Sequence, residues 1–177
     1  VPSALTATVP WPADAPVTLP SPVLFLTRGV PTDVTVVNHL DEPTGVHWHG
    51  LELESASDGV AGWSQTGGRL FAQIQPGDSF VAHLTQPRAG TFIYHTHFQD
   101  EIQLTSGLYG PIAVLEPGAA FQPATDHIFL AGRDGEEGKV LLNGRVDSTF
   151  HVGGSSGLTR AVSSSGVPFL RSTQAMS

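Results

Sequence analysis

Apolar and β-branched residues fall along the chain in short runs broken by Gly, Pro, Asn and Asp, the pattern of strands joined by turns rather than of long helices. Val23-Leu24-Phe25-Leu26-Thr27 reads as a buried strand, and Asp33-Val34-Thr35-Val36-Val37-Asn38 as a second after a Gly29-Val30-Pro31 turn. Residues 71–74 resume an apolar pattern, and residues 79–85 alternate after Gln75-Pro76-Gly77-Asp78. Thr91-Phe92-Ile93-Tyr94-His95 combines the β-branched and aromatic residues that fill pleated surfaces. Residues 112–115, 127–131 and 139–142 supply further strands, the last two without evident partners. Between these runs, residues 52–68 read as a long loop and residues 98–106 as a helical turn. The expected fold is therefore all-β, an antiparallel Greek-key sandwich or barrel with an irregular C-terminal extension. Proline at positions 2, 10, 12, 16, 20 and 22 makes residues 1–22 an extended arm or edge strand.

Glu116-Pro117-Gly118 marks a boundary. It divides the chain into a domain over residues 1–118, a linker with remnant strands over 119–147, and a Ser/Gly-rich tail over 148–177. With 177 residues, one domain and an extension are expected rather than two full domains. Twenty Gly and 14 Pro reinforce the turn-rich β reading. A net charge of −8 argues against nucleic acid or an anionic membrane as partner, because no basic patch is available to neutralise phosphates. No run approaches the roughly 20 apolar residues of a membrane span, and the start lacks the pattern of a signal peptide, so a mature, soluble chain is expected. The absence of cysteine excludes disulfides, thiolate metal sites and thiol nucleophiles, and leaves the redox compartment open.

Chemistry concentrates in the histidines. Val46-His47-Trp48-His49-Gly50 and Tyr94-His95-Thr96-His97 each carry a His-x-His pair, and two positions on one strand point to the same face of a sheet. If the two strands converge, four imidazoles line one end of the sheet and suit copper, zinc, iron or nickel. His39, His83, His127 and His151 stand alone and are expected to be structural or solvent-facing. Asp58 precedes Gly59 in a favoured turn dipeptide; it serves either that turn alone or as a carboxylate orienting a metal-bound water.

The two histidine pairs, the intervening Asp58-Gly59 and the trailing Gly107-Leu108-Tyr109-Gly110-Pro111 occur in an order that resembles the first cupredoxin (plastocyanin-like) domain of a laccase-type multicopper oxidase. The resemblance runs from about Leu24 to Gly118. It implies copper at a cluster of one type 2 and two type 3 ions, where dioxygen is reduced to water with electrons from a phenol-like donor. By motif position, His47 would bind the type 2 ion, His49 and His95 one type 3 ion and His97 the other, with Asp58 helping to deliver protons. It also implies secretion or a periplasmic location. The family's type 1 copper needs a thiolate, so that site cannot form within this chain. The four cluster histidines of a later domain are missing as well, and residues 145–177 do not continue as that family would. A truncated, frame-shifted or proteolysed product is the expectation. Half a ligand set further implies a homo-oligomer, a dimer or a trimer, that completes the cluster from another copy. A non-catalytic copper-binding or storage domain and a folded remnant are the alternatives.

Overall fold

A computed structural model of the chain describes residues 20–133, 140–145 and 162–163. Residues 1–19 of the expected arm over residues 1–22, His151 and most of the expected tail lie outside the described residues. The strands in chain order are β1 (Leu24–Thr27), β2 (Thr32–Val37), β3 (Val46–His49), β4 (Gln65–Thr66), β5 (Arg69–Leu70), β6 (Ser79–Leu84), β7 (Gly90–Thr96), β8 (Tyr109–Leu115), β9 (Leu130–Arg133), β10 (Val140–Leu142) and β11 (Val162–Ser163).

Two β-layers enclose the main core. One layer has the order β1-β8-β7-β3, with β1 parallel to β8 and the other neighbours antiparallel. The second pairs β2 with β6 antiparallel. Leu26, Trp48, Phe92, Ile112 and Val114 from the first layer meet Ala82 and Leu84 from the second, with Val34 and Val36 packed alongside. Alternation dictates this arrangement: every second residue of β3, β7 and β8 turns inward, so the residues between them must face out. The chain crosses repeatedly between layers, in the manner expected of a Greek key.

Several local expectations are revised. The stretch over residues 52–68 is not loop throughout: Gly67 and Gly68, at φ of 57° and 79°, make the two-residue turn of a tight β4–β5 hairpin. Residues 71–73 form no strand, and Ile74 makes only an isolated bridge to Thr44. The helical turn expected over residues 98–106 does form, as a π-type turn over Asp100–Leu104. The strands after Gly118 are also partnered, because β9 pairs antiparallel with β10 and parallel with β11. Leu130 of β9 buries itself against Ile93 and Tyr109 on the outward face of the large sheet. A Cβ at Gly132 would strike the Tyr109 hydroxyl, so only glycine lets β9 approach that closely.

Candidate metal centre

The β3–β7 register sets His47 directly opposite His95, Trp48 opposite Tyr94 and His49 opposite Ile93. Trp48 and Tyr94 face the main core, so His47, His49 and His95 all project from the opposite face. Their ring centroids lie 5.4 Å (His47–His49), 5.4 Å (His47–His95) and 5.5 Å (His49–His95) apart. One nitrogen from each of the three falls within 4.8 Å of the others. His97 sits just past the end of β7, with its ring 5.6 Å from His47 and 6.1 Å from His95. It stands at the margin of the cluster and is held by a main-chain bond from its N–H to the Gly45 carbonyl (3.1 Å).

Hydrogen bonds choose which ring nitrogen each histidine presents. His47 Nδ1 donates to the Asp58 carbonyl at 2.9 Å, and His95 Nδ1 donates to the Thr96 carbonyl at 2.6 Å. In the neutral ring each bond assigns the proton to Nδ1 and leaves Nε2 as the nitrogen able to bind a metal. His49 Nδ1 and His95 Nε2 approach to 3.2 Å. Two nitrogens each about 2 Å from one tetrahedral ion stand about 3.3 Å apart, so the spacing of this pair matches a shared metal, which would displace the proton His49 Nδ1 donates to His95 Nε2. Imidazole donors with no thiolate suit copper, zinc, iron or nickel alike. The electrostatics agree with metal binding. Burial lowers the His95 pKa, opposed by the Thr96 hydrogen bond and reinforced by His47, His49 and His97. Burial likewise lowers that of His49, with His47 and His97 adding to the effect and Asp58 opposing it.

Asp58 meets His47 chiefly through its main chain; its carboxylate Oδ1 is 3.3 Å from His47 Nδ1, and Ser64 Oγ donates weakly to Oδ2 at 3.4 Å. Gly59 explains why the contact exists. It has a φ of 80°, and a Cβ there would collide with the Val46 carbonyl. The turn therefore lies flush on β3 beneath His47. Among the lone histidines, His39 and His127 are exposed, and His83 pairs with Asp33 at 2.7 Å across β2 and β6. None of the three joins the cluster. Sequence reasoning passed over Gln103, a buried amide whose Oε1 accepts from Thr44 Oγ1 (2.7 Å) and Thr96 Oγ1 (2.9 Å). Nothing in the sequence singled it out, because the same turn also carries Gln99, Asp100 and Glu101 and only contacts with distant segments set Gln103 apart.

The stretch that carries this site also resembles known proteins. The multicopper oxidase family pattern matches residues 17–119. Copper resistance protein A of Pseudomonas syringae pv. tomato is 38% identical over 128 residues, which span 70% of this chain and 19% of that protein. Laccase-2 of Cryptococcus neoformans var. grubii is 33% identical over 126 residues, 70% of this chain and 18% of that protein. The chain thus spans less than a fifth of the length of these curated relatives. Among solved structures, a multicopper oxidase from Pseudomonas thermotolerans matches with a TM-score of 0.55 at 33% identity, covering 63% of this chain and 26% of that one. A blue copper oxidase from Nitrosomonas europaea matches with a TM-score of 0.57 at 26% identity, covering 72% and 45%.

Proposed function

The chain belongs to the multicopper oxidase family, and from that premise we propose that it is a copper-binding, laccase-like oxidoreductase module with His47, His49, His95 and His97 as its ligands. The observation that carries this reading is the convergence of imidazole nitrogens from His47, His49 and His95 to within 4.8 Å. By motif position His47 serves a type 2 ion, His49 and His95 one type 3 ion, and His97 the other. Bound copper supplies one-electron redox chemistry, by which a phenol-like donor is oxidised and dioxygen is reduced to water.

The chain's own groups prepare that chemistry. The Asp58 and Thr96 carbonyls lock the His47 and His95 tautomers, so no proton has to leave Nε2 before a metal binds. The Asp58 carboxylate, partly exposed and 3.3 Å from His47 Nδ1, can hold a proton at the edge of the site and release it toward reduced oxygen. His49 and His97 are exposed, which supports completion of the ligand set by a second copy in a dimer or trimer. Among the described residues no helix is long and apolar enough to cross a membrane. A secreted or periplasmic location is part of the same proposal.

The lack of cysteine favours a second reading, a non-catalytic copper-binding or storage domain, since no thiolate-bound copper can receive electrons within the chain. Oxidation of a phenolic dye with added copper separates the two. The parent is expected to turn over and His95→Ala to be inactive. Asp58→Asn should keep its copper, because the carbonyl that holds His47 is unchanged, yet lose about 10²-fold or more in rate, because an amide cannot relay a proton. Copper binding without turnover in the parent would leave the storage reading.

A further inference from the structure

The ladder between the two histidine strands ends at Val46 and Thr96, so the segment carrying His97 starts where regular pairing stops. Past that point one main-chain bond crosses, from His97 N–H to Gly45 O at 3.1 Å. Gln103 reaches the same place from the π-type turn. Its Oε1 takes hydrogen bonds from Thr44, next to Gly45, and from Thr96, next to His97, at 2.7 and 2.9 Å. Its Nε2 donates to the Pro43 carbonyl at 2.9 Å. Three hydrogen bonds therefore tie the chain just before β3 to the chain at the end of β7, the one from Thr96 sharing its hydroxyl proton with the Phe98 carbonyl at 3.0 Å. Thr44, Thr96 and Gln103 are all buried, with Thr96 fully so, and a buried amide deprived of such partners would be costly. The main chain of Gln103 is itself fixed, donating to Gln99 O (2.9 Å) and accepting from Leu108 N (3.1 Å), so the clip has a rigid base.

We propose that Gln103 is a positioning residue for His97, and that its amide, with the hydroxyls of Thr44 and Thr96, brings this outlying imidazole into the cluster formed by His47, His49 and His95. The inference rests on the copper-binding reading for its consequence but not for its geometry. His47, His49 and His95 are placed by the β3–β7 ladder, and His47 and His95 also by carbonyl contacts, so losing the clip affects His97 selectively.

The full chain is tested in two ways: amide hydrogen exchange resolved at His97 without metal, and copper titration. Gln103→Leu and Thr44→Val should speed exchange at the His97 amide by about tenfold or more. They should also weaken the copper site that His97→Ala removes by about 10- to 100-fold, leaving the remaining copper in place. Thr44→Ser keeps the hydroxyl and should behave as the parent. Gln86→Ala removes another buried amide, one that holds Thr27 at the far end of the sheet, and should change neither readout. Unchanged exchange at His97 in Gln103→Leu, or an equal change in Gln86→Ala, overturns the proposal. Should Gln103→Leu not fold, the contrast between Thr44→Val and Thr44→Ser decides it. If the parent binds no copper the functional reading fails, and the exchange measurement alone judges the clip.

Discussion

An imidazole binds a metal only through a nitrogen free of its proton, so at the scale of single residues the question is what keeps each ring neutral and turned the right way. For His95 the answer is burial first, then the neighbouring rings, acting against its bond to Thr96; for His49 it is burial followed by His47. Both pKa values are held below the ordinary 6.5. The sign follows. Well above pH 6.5 both rings are neutral whether the chain is folded or not, and nothing is lost. As pH falls below 6.5 toward the lowered folded values, the unfolded chain takes up protons that the fold refuses, and the metal-free fold loses stability. Ring titration of the metal-free chain by NMR should therefore place His49 and His95 below 6.5, with a melting temperature that declines over the same interval. Midpoints at or above 6.5 would contradict this. The four paired histidines were legible in the sequence because strand alternation turns spacing into direction. The carbonyl of Asp58, the glycine that lets it reach His47 and the amide of Gln103 were not, because each acts through contacts between segments far apart in sequence.

At the scale of elements, β3 holds the site on one face and the core on the other. Trp48 lies between His47 and His49 and is only 2% exposed, so the residue that anchors the strand also fixes the pitch between two ligands. Trp48→Ala should cost about 3–5 kcal/mol in stability. Copper affinity should fall with it even in solution conditions where the variant stays folded. Chemical denaturation and copper titration of the same preparation check both halves, and unaltered affinity in a folded variant would mean that the ladder alone positions the histidines. The long strands were readable from period-two alternation and from Gly and Pro punctuation. The β4–β5 hairpin was hidden because its strands are two residues each, too short for any period to show. Of the partners of β9, β10 was legible as a strand but not as a neighbour, and β11 was hidden in a Ser/Gly-rich segment of weak pattern; Leu130 in turn finds its burial on the outer face of a sheet completed long before it in sequence.

On the scale of the whole molecule, β3 is the outermost strand of the large sheet, and the histidine face beside it is only partly covered by β9. His49 and His97 remain open to solvent. A metal there would keep coordination positions for groups from outside the chain, consistent with a chain that spans 19% of one curated relative and 18% of another. The proposed second copy would bring the same four histidines in symmetric opposition, since one patch can serve both sides of an isologous contact. Native mass spectrometry of the full chain during copper titration reads metal count and subunit count together, and so tests the central claim most directly. Copper retained in a dimer or trimer, and lost with its assembly when the four paired histidines are changed to alanine but not when His39, His83 and His127 are, is the predicted result. A monomer that acquires no histidine-dependent copper at any ratio would contradict it.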